Sequence, residues 1–358
     1  MLRDNTRVVK VGNVLVGGGN PISIQSMTTT PTKNIIETIK QIKQLELFGC
    51  DIVRVAVLDE MDANAIKEIK KNISIPLVAD IHFDYKLALI AIENGIDKLR
   101  INPGNIGDIS RVKILVEKCK EKGIPIRIGV NSGSLEKIQT NIDSISISDA
   151  MIESAKKHVQ ILESLDFYDI IISLKSSNVE QTIETYEKAS KIFPYPLHLG
   201  VTESGPLING CVKSTIGLFS VLRLGIGDTI RVSLSNDPIY EVKVAKEILK
   251  NMNLIDGYKL ISCPTCGRTQ YNMLKIVDNI EKFLDTLPKS NIKVAIMGCV
   301  VNGPGEAKEA DVGIAGGNDC AVLFKKGKII QKLSTDLIED TLKKEILDLT
   351  RNKKDTHF

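Results

Sequence analysis

Eight times between residues 21 and 253 the sequence sets a short apolar run ahead of a stretch with helical spacing, and this alternation restricts the fold of its 358 residues more than any other feature. The runs lie at 22–26, 52–57, 77–81, 98–102, 126–130, 170–174, 197–201 and 230–234. Among the intervening stretches, 35–47, 63–71, 85–93, 148–165, 179–193 and 239–252 repeat apolar residues at close to the period of an amphipathic helix. Gly49, Pro76, Gly95, Pro125 and Pro196 punctuate the strand starts. Strands that alternate with helices pair in parallel through right-handed crossovers, and eight of them close a (β/α)8 barrel. An open doubly wound sheet is the rival, but it calls for a Gly-x-Gly-x-x-Gly turn after the first strand; Gly17, Gly18 and Gly19 precede that strand and read as a turn. The expectation is an α/β fold: a TIM-type barrel over 1–255, then a small α+β domain over 256–358.

Side chains alternate across a strand, so residues two apart share a face. Arg100 and Asn102 oppose Leu99 and Ile101; Arg127, Gly129 and Asn131 oppose Ile126, Ile128 and Val130. His198, Gly200 and Thr202 oppose Leu197, Leu199 and Val201, and Arg231, Ser233 and Ser235 oppose Ile230, Val232 and Leu234. The apolar set must meet the helices, which turns the polar set into the barrel. Ordinary barrels fill that space with branched apolar layers, and an unpaired buried arginine is costly. Arg54, Arg100, Arg127, Lys175 and Arg231 come from five strands, against Asp80, Asp84 and Glu203 at the same mouth. They make either an internal salt-bridge network or a polyanion site. Arginine forks match phosphate oxygens, barrel active sites lie at the C-terminal strand ends, and five cations suit a diphosphate better than a single carboxylate. His82 shares the face of Asp80 and lines the mouth or is a satisfied structural histidine; His198 is inward, in a substrate shell or structural role. His158 and His357 read as surface residues.

After Asp256 and Gly257 the style changes. Cys263 and Cys266 stand three apart within Cys-Pro-Thr-Cys-Gly-Arg-Thr, and Cys299 follows the apolar run Val294, Ala295, Ile296 in Met-Gly-Cys-Val-Val-Asn-Gly-Pro-Gly-Glu, which ends at Glu306. Three cysteines on such turns suit a soft metal centre, either zinc or iron–sulfur. Cys50, Cys119, Cys211 and Cys320 complete an odd set of seven, so ligands and free thiols are expected rather than disulfides. A strand, turn and strand around Lys325–Lys328, then a helix from about 336 to 349 and a solvated tail, complete the domain.

These two cysteine segments, in this order, resemble the cluster domain of the 4-hydroxy-3-methylbut-2-enyl diphosphate synthase family, the iron–sulfur enzymes of the non-mevalonate isoprenoid pathway. Asp80-Ile-His-Phe-Asp84, Arg100-Ile-Asn-Pro-Gly104, Arg127-Ile-Gly-Val-Asn131 and Leu199-Gly-Val-Thr-Glu203 resemble its barrel segments, so the likeness spans nearly the whole chain, in the bacterial two-domain form. The resemblance implies a [4Fe–4S] cluster on Cys263, Cys266, Cys299 and Glu306. It implies that Arg54, Arg100, Asn102, Arg127, Asn131, Lys175, Arg231 and Ser233 grip the diphosphate, with Glu203 as acid/base. It also implies reductive ring opening and dehydration of 2-C-methyl-D-erythritol 2,4-cyclodiphosphate, with flavodoxin or ferredoxin as electron donor. Cys320 is the rival fourth ligand, since clusters commonly take four cysteines. The alternative function is a zinc-stabilised barrel acting on a phosphorylated metabolite without redox chemistry.

Lys and Arg number 47 and Asp and Glu 44, a net charge of +3 too balanced for nucleic-acid binding. No run approaches the roughly 18 apolar residues of a membrane span, and the charged start lacks a signal core, so a cytoplasmic protein is expected. The eighth helix runs back from the mouth, and the join at 253–258 reaches at most about 20 Å. A barrel and cluster that act on one molecule are thus expected to come from different chains, as in the family's head-to-tail homodimer.

Overall fold

The computed structural model describes residues 2–135, 146–269, 271–288, 290–300, 303–317 and 320–354. The chain divides into two compact units, Met1–Leu254 and Ile255–Phe358, a residue from the boundary read in the sequence.

The first unit opens with a hairpin, β1 (Val9–Val11) and β2 (Val14–Val16), that the strand periodicity did not reveal. Its two-residue turn needs the positive φ of Gly12. Val9, Val11 and Val16 are fully buried against Ile52, Val78 and Ile171, which point inward from the first residues of barrel strands. The hairpin is therefore an apolar floor. Eight strands follow: β3 (Ser23–Met27), β4 (Ile52–Ala56), β5 (Leu77–Asp80), β6 (Lys98–Ile101), β7 (Ile126–Asn131), β8 (Ile170–Lys175), β9 (His198–Leu199) and β10 (Thr229–Ile230). They pair in parallel in the order β8-β7-β6-β5-β4-β3-β10-β9, and an Ile172–Leu197 bridge closes the ring. The helices between and after them are α1 (Ile35–Leu47), α2 (Glu60–Lys71), α3 (Tyr85–Glu93), α4 (Ile109–Lys122), α5 (Ile147–Glu163), α6 (Val179–Ile192), α7 (Leu207–Leu222) and α8 (Pro238–Asn251). The predicted (β/α)8 barrel is the fold observed.

Side chains start several helices just above the mouth. Asp59, Asp84, Asp108, Asn178 and Asp237 each accept a backbone N–H in the first turn of the helix they precede. Asp84 thus caps α3 and is not a mouth carboxylate, as its parity had implied. Two strands are shorter than predicted. β10 ends at Ile230 because Leu234 N–H is taken by the Glu241 carboxylate and Ser235 N–H by Gly205 carbonyl, not by a neighbouring strand. β9 ends at Leu199, and Thr202 N–H turns to Ser176 carbonyl.

The second unit contains β11 (Lys259–Ser262), α9 (Met273–Asp285), β12 (Lys293–Met297), α10 (Gly303–Glu306), β13 (Val312–Gly316), β14 (Cys320–Lys325), β15 (Lys328–Ser334) and α11 (Ile338–Lys354). The sheet runs β11-β12-β13-β14-β15, with the first three strands parallel and the last two antiparallel. Alternation gives it two faces. Val294, Ile296, Val312, Ile314 and Leu323 meet Ile280 and Leu284 of α9 and Ile338, Leu342 and Ile346 of α11. Ala295, Met297, Ala315, Val322 and Phe324 meet Ala307 and Ala310 beyond α10. The α+β expectation holds. The last helix continues through 351–354, where a solvated tail had been expected; 355–358, with His357, lie outside the described residues.

Candidate functional site

A cavity of about 180 Å³ opens at the C-terminal ends of the barrel strands. β4 to β6 contribute Arg54, Asp80 and Arg100 to its wall, with His82 just beyond β5. β7 and β8 supply Arg127, Gly129, Asn131, Ser173 and Lys175, and the segments after β9 and β10 supply Thr202, Arg231 and Ser233. Nine of the residues expected at a diphosphate site therefore line one cavity: Arg54, His82, Arg100, Arg127, Asn131, Lys175, Thr202, Arg231 and Ser233. Three others do not line it. Asn102 Oδ1 accepts Gly129 N–H at 2.9 Å and so ties β6 to β7. His198 lies fully buried below the cavity, with Nε2 unpartnered among the described residues. Glu203 is exposed, in the left-handed region at φ 51.

Few carboxylates answer these cations. Arg100 Nη1 donates to Asp80 at 3.1 Å, and Arg54 Nε lies 3.6 Å from the same carboxylate. Burial pushes the Asp80 carboxyl up, but Arg54, Arg100 and Arg127 outweigh it and hold it down to about 2. Arg231 is held by Glu241 of α8, with both donors at 3.2 Å. Glu241 also accepts from Ser26 Oγ and Leu234 N–H. The sequence reading missed this residue, since a lone helix carboxylate carries no strand parity. It also missed Met27, whose sulfur accepts from Arg54 Nε at 3.1 Å and Nη2 at 3.0 Å, with Arg231 Nη1 at 3.7 Å. Ser173 was missed too, although it shares parity with Lys175.

The other cations are left over. Arg127 is only 2% exposed, and its Nε and Nη1 have no partner among the described residues. Burial first, then Arg54 and Arg100, pull its pKa well below the ordinary arginine value. Lys175 is pulled down by burial, Arg231 and Arg127. His82 is lowered by burial and by Arg100, which outweigh Asp80. Glycines make the room. A Cβ at Gly129 would stand 2.7 Å from Arg100 Nε, and one at Gly200 would stand 2.8 Å from Lys175 Nζ. Unpaired donors converging on a cavity fit an anion with many oxygens better than a closed salt-bridge network.

In the second unit, Cys263 follows β11 and Cys299 follows β12, so both leave the C-terminal ends of neighbouring parallel strands. Gly298 N–H donates to Cys263 Sγ at 3.1 Å, and Gly303 N–H to Cys299 carbonyl. Cys266 is exposed, and the N–H and side chain of Arg268 lower its pKa. Cys266, Cys299 and Glu306 all act on the Arg268 guanidinium, Cys266 most strongly, so the three lie around it. Cys320 starts β14 at the same sheet edge, two strands from β12. No three His, Cys, Asp or Glu among the described residues converge as a site for a single ion; a multi-iron cluster spaces its ligands more widely. The donor set itself, three thiols and a carboxylate with an N–H directed at one sulfur, suits such a cluster. Cys50 and Cys119 are buried thiols pushed up to about 12 by burial, and Cys211 is partly buried. His158 is half-buried on α5, and its Nδ1 accepts Gly104 N–H.

Fold and site define a TIM-barrel protein with a cationic mouth, joined to an α+β domain with cysteines at its strand ends. Residues 6–246 match the GcpE TIM-barrel domain and 259–348 the GcpE protein C-terminal domain. The chain belongs to the GcpE family. It is 59% identical over 345 residues to the 4-hydroxy-3-methylbut-2-en-1-yl diphosphate synthase (flavodoxin) of Clostridium perfringens, covering 96% of this chain and 99% of that protein. It is 56% identical over 352 residues to the enzyme of the same name from Fusobacterium nucleatum, covering 98% and 99%. In fold alone, the barrel is similar to dihydropteroate synthase from Stenotrophomonas maltophilia, at a TM-score of 0.54 and 10% identity over 69% of this chain and 97% of that one.

Arg127→Ala should weaken binding of inorganic pyrophosphate by roughly 2–4 kcal/mol, the scale for losing one member of a buried charge pair. Calorimetry checks this, and unchanged affinity would move the anion site away from the barrel mouth.

Proposed function

We propose that this chain converts 2-C-methyl-D-erythritol 2,4-cyclodiphosphate to 4-hydroxy-3-methylbut-2-enyl diphosphate. The observation that carries the reading is the cavity at the strand ends of a GcpE-family barrel, where buried cations outnumber the carboxylates that answer them. The barrel is the substrate domain, and the second unit, from about residue 256, is the cluster domain. Bound on Cys263, Cys266, Cys299 and Glu306, a [4Fe–4S] cluster supplies electrons one at a time. Arg100, Arg127, Lys175 and Arg231 hold the diphosphate oxygens, while Asp80 and Glu241 fix the arginine forks that face them. Thr202, Ser173, Asn131 and Ser233 lend polar groups to orient it. Two electrons and a proton enter, the ring carbon–oxygen bond to phosphate breaks, and a hydroxyl leaves as water. Glu203, exposed at the rim, delivers the proton to that hydroxyl. The relatives' names give flavodoxin as electron donor; a flavodoxin or ferredoxin serves here. No described helix is long and apolar enough to cross a membrane, and the free thiols suit the reducing cytoplasm.

The active site is shared by two chains in this reading. Within the barrel unit, Lys246 near the end of α8 packs beside Gly49, just before β4, so the chain leaves at the floor end, away from the mouth. A two-fold homodimer places each cluster domain at its partner's barrel.

Protein purified without oxygen should be brown, with broad visible absorbance that bleaches on reduction. Cys263→Ser, Cys266→Ser or Cys299→Ser should each lose the iron while circular dichroism stays that of the folded barrel. Glu306→Ala should keep most of the iron and lose turnover. If Glu306→Ala is active and Cys320→Ser loses iron, the fourth ligand is Cys320. A colourless protein with one tightly held zinc would overturn the redox reading.

Mixing inactive Glu203→Gln and Cys263→Ser proteins under subunit exchange tests the shared site. Recovered turnover supports it, because a mixed dimer has one intact barrel facing one intact cluster domain. Proven heterodimers without activity return both parts to one chain.

A further inference from the structure

Beneath the cavity lies a second polar layer that the proposed chemistry does not use. Lys98 begins β6 and points inward two residues before Arg100, roughly 7 Å deeper along the strand. It has no exposed surface, and among the described residues its side chain donates to a neutral acceptor, Gln25 Oε1 at 3.2 Å. Around it, His198 Nε2, Gln25 Nε2 and Arg127 Nε and Nη1 are buried without partners among the described residues. Below it is the valine floor.

Among the described residues, no negative charge faces Lys98. From β7 it meets Arg127, from β4 Arg54 and from β9 His198. The β5 neighbour is Val78, β3 presents Gln25 and Ser23, and the hairpin presents Val9, Val11 and Val16, all uncharged. Asp80 and Glu241, the carboxylates of this interior, are engaged with Arg54, Arg100 and Arg231. Six cationic side chains thus share one interior with two carboxylates. Holding all six as charged groups in an empty barrel is costly, and lysine releases its proton far more readily than arginine.

We propose that Lys98 is a charge-balancing residue beneath the anion site: uncharged in the empty barrel, it takes up a proton when a diphosphate occupies the mouth above it. The inference rests on the reading of the mouth as a diphosphate site. Burial, then Arg127 and Arg54, already pull the Lys98 pKa well below the ordinary lysine value. Phosphate charge beside Arg127 cancels that repulsion and raises it again. Between the two values binding consumes a proton, so affinity falls as pH rises, by up to about tenfold per pH unit. Lys98 touches no substrate. It acts through the potential at Arg127, as a positioning and charge-balancing residue.

Calorimetry of the oxidised holoprotein with the cyclic diphosphate, in buffers of different ionisation enthalpy, counts the protons taken up. At about pH 9 imidazoles no longer contribute. Across about pH 7 to 10, wild type should take up protons that the Lys98 variants do not. Lys98→Met, of similar length and compatible with the valine floor, should take up almost none and lose the pH dependence of its affinity. Lys98→Gln serves if the methionine variant does not fold. Binding by wild type without proton uptake overturns the proposal. Undiminished uptake in the Lys98 variants assigns the proton to Lys175 and overturns it as well. No binding of the cyclic diphosphate at all defeats the underlying reading of the mouth, and this proposal with it.

Discussion

Buried positive charge without enough negative charge to balance it is the constraint on which the barrel depends. Arg54, Lys98, Arg100, Arg127, Lys175 and Arg231 turn inward, and Asp80 and Glu241 answer three of the arginines. The architecture around them follows from managing that charge. The floor is closed by a valine hairpin packed on Ile52, Val78 and Ile171. Gly129 and Gly200 lack the side chains that would displace Arg100 and Lys175. Met27 places a polarisable sulfur between Arg54 and Arg231, where a third carboxylate would have closed the network. The arrangement leaves Arg127 Nε and Nη1 without partners among the described residues.

The second unit solves a different problem by a related device. Parallel strands β11 and β12 end side by side, and their C-terminal ends carry Cys263 and Cys299. A rigid sheet thereby fixes the separation of two thiols, while Cys266 and Glu306 reach the same region from a loop and a one-turn helix. Glu306, the one carboxylate among these four side chains, sits on the one-turn helix α10.

Much of this was legible in the sequence because it is periodic. Parity alone turned Arg100, Arg127 and Arg231 inward, and the alternation of apolar runs with helical stretches gave the barrel. What stayed hidden was not periodic. The hairpin strands are three residues each, too short for a pattern. Glu241 reaches Arg231 from a helix, a tertiary pairing that neither helical nor strand spacing encodes. Asp84 has the parity of a mouth residue, but as a helix cap its carboxylate is spent on Lys86 N–H. Asn102 is likewise drawn into holding β7. Lys98, by contrast, was within reach, because it lies two residues before Arg100 on the same face.

The most direct test of the account is phosphorus NMR of an anaerobic reaction between the iron-loaded protein, a chemical reductant and the cyclic diphosphate. The account predicts that the signals of the ring are replaced by those of an open diphosphate, and that omitting the reductant leaves the ring intact. An unchanged ring in the presence of fully loaded, reduced protein would contradict it.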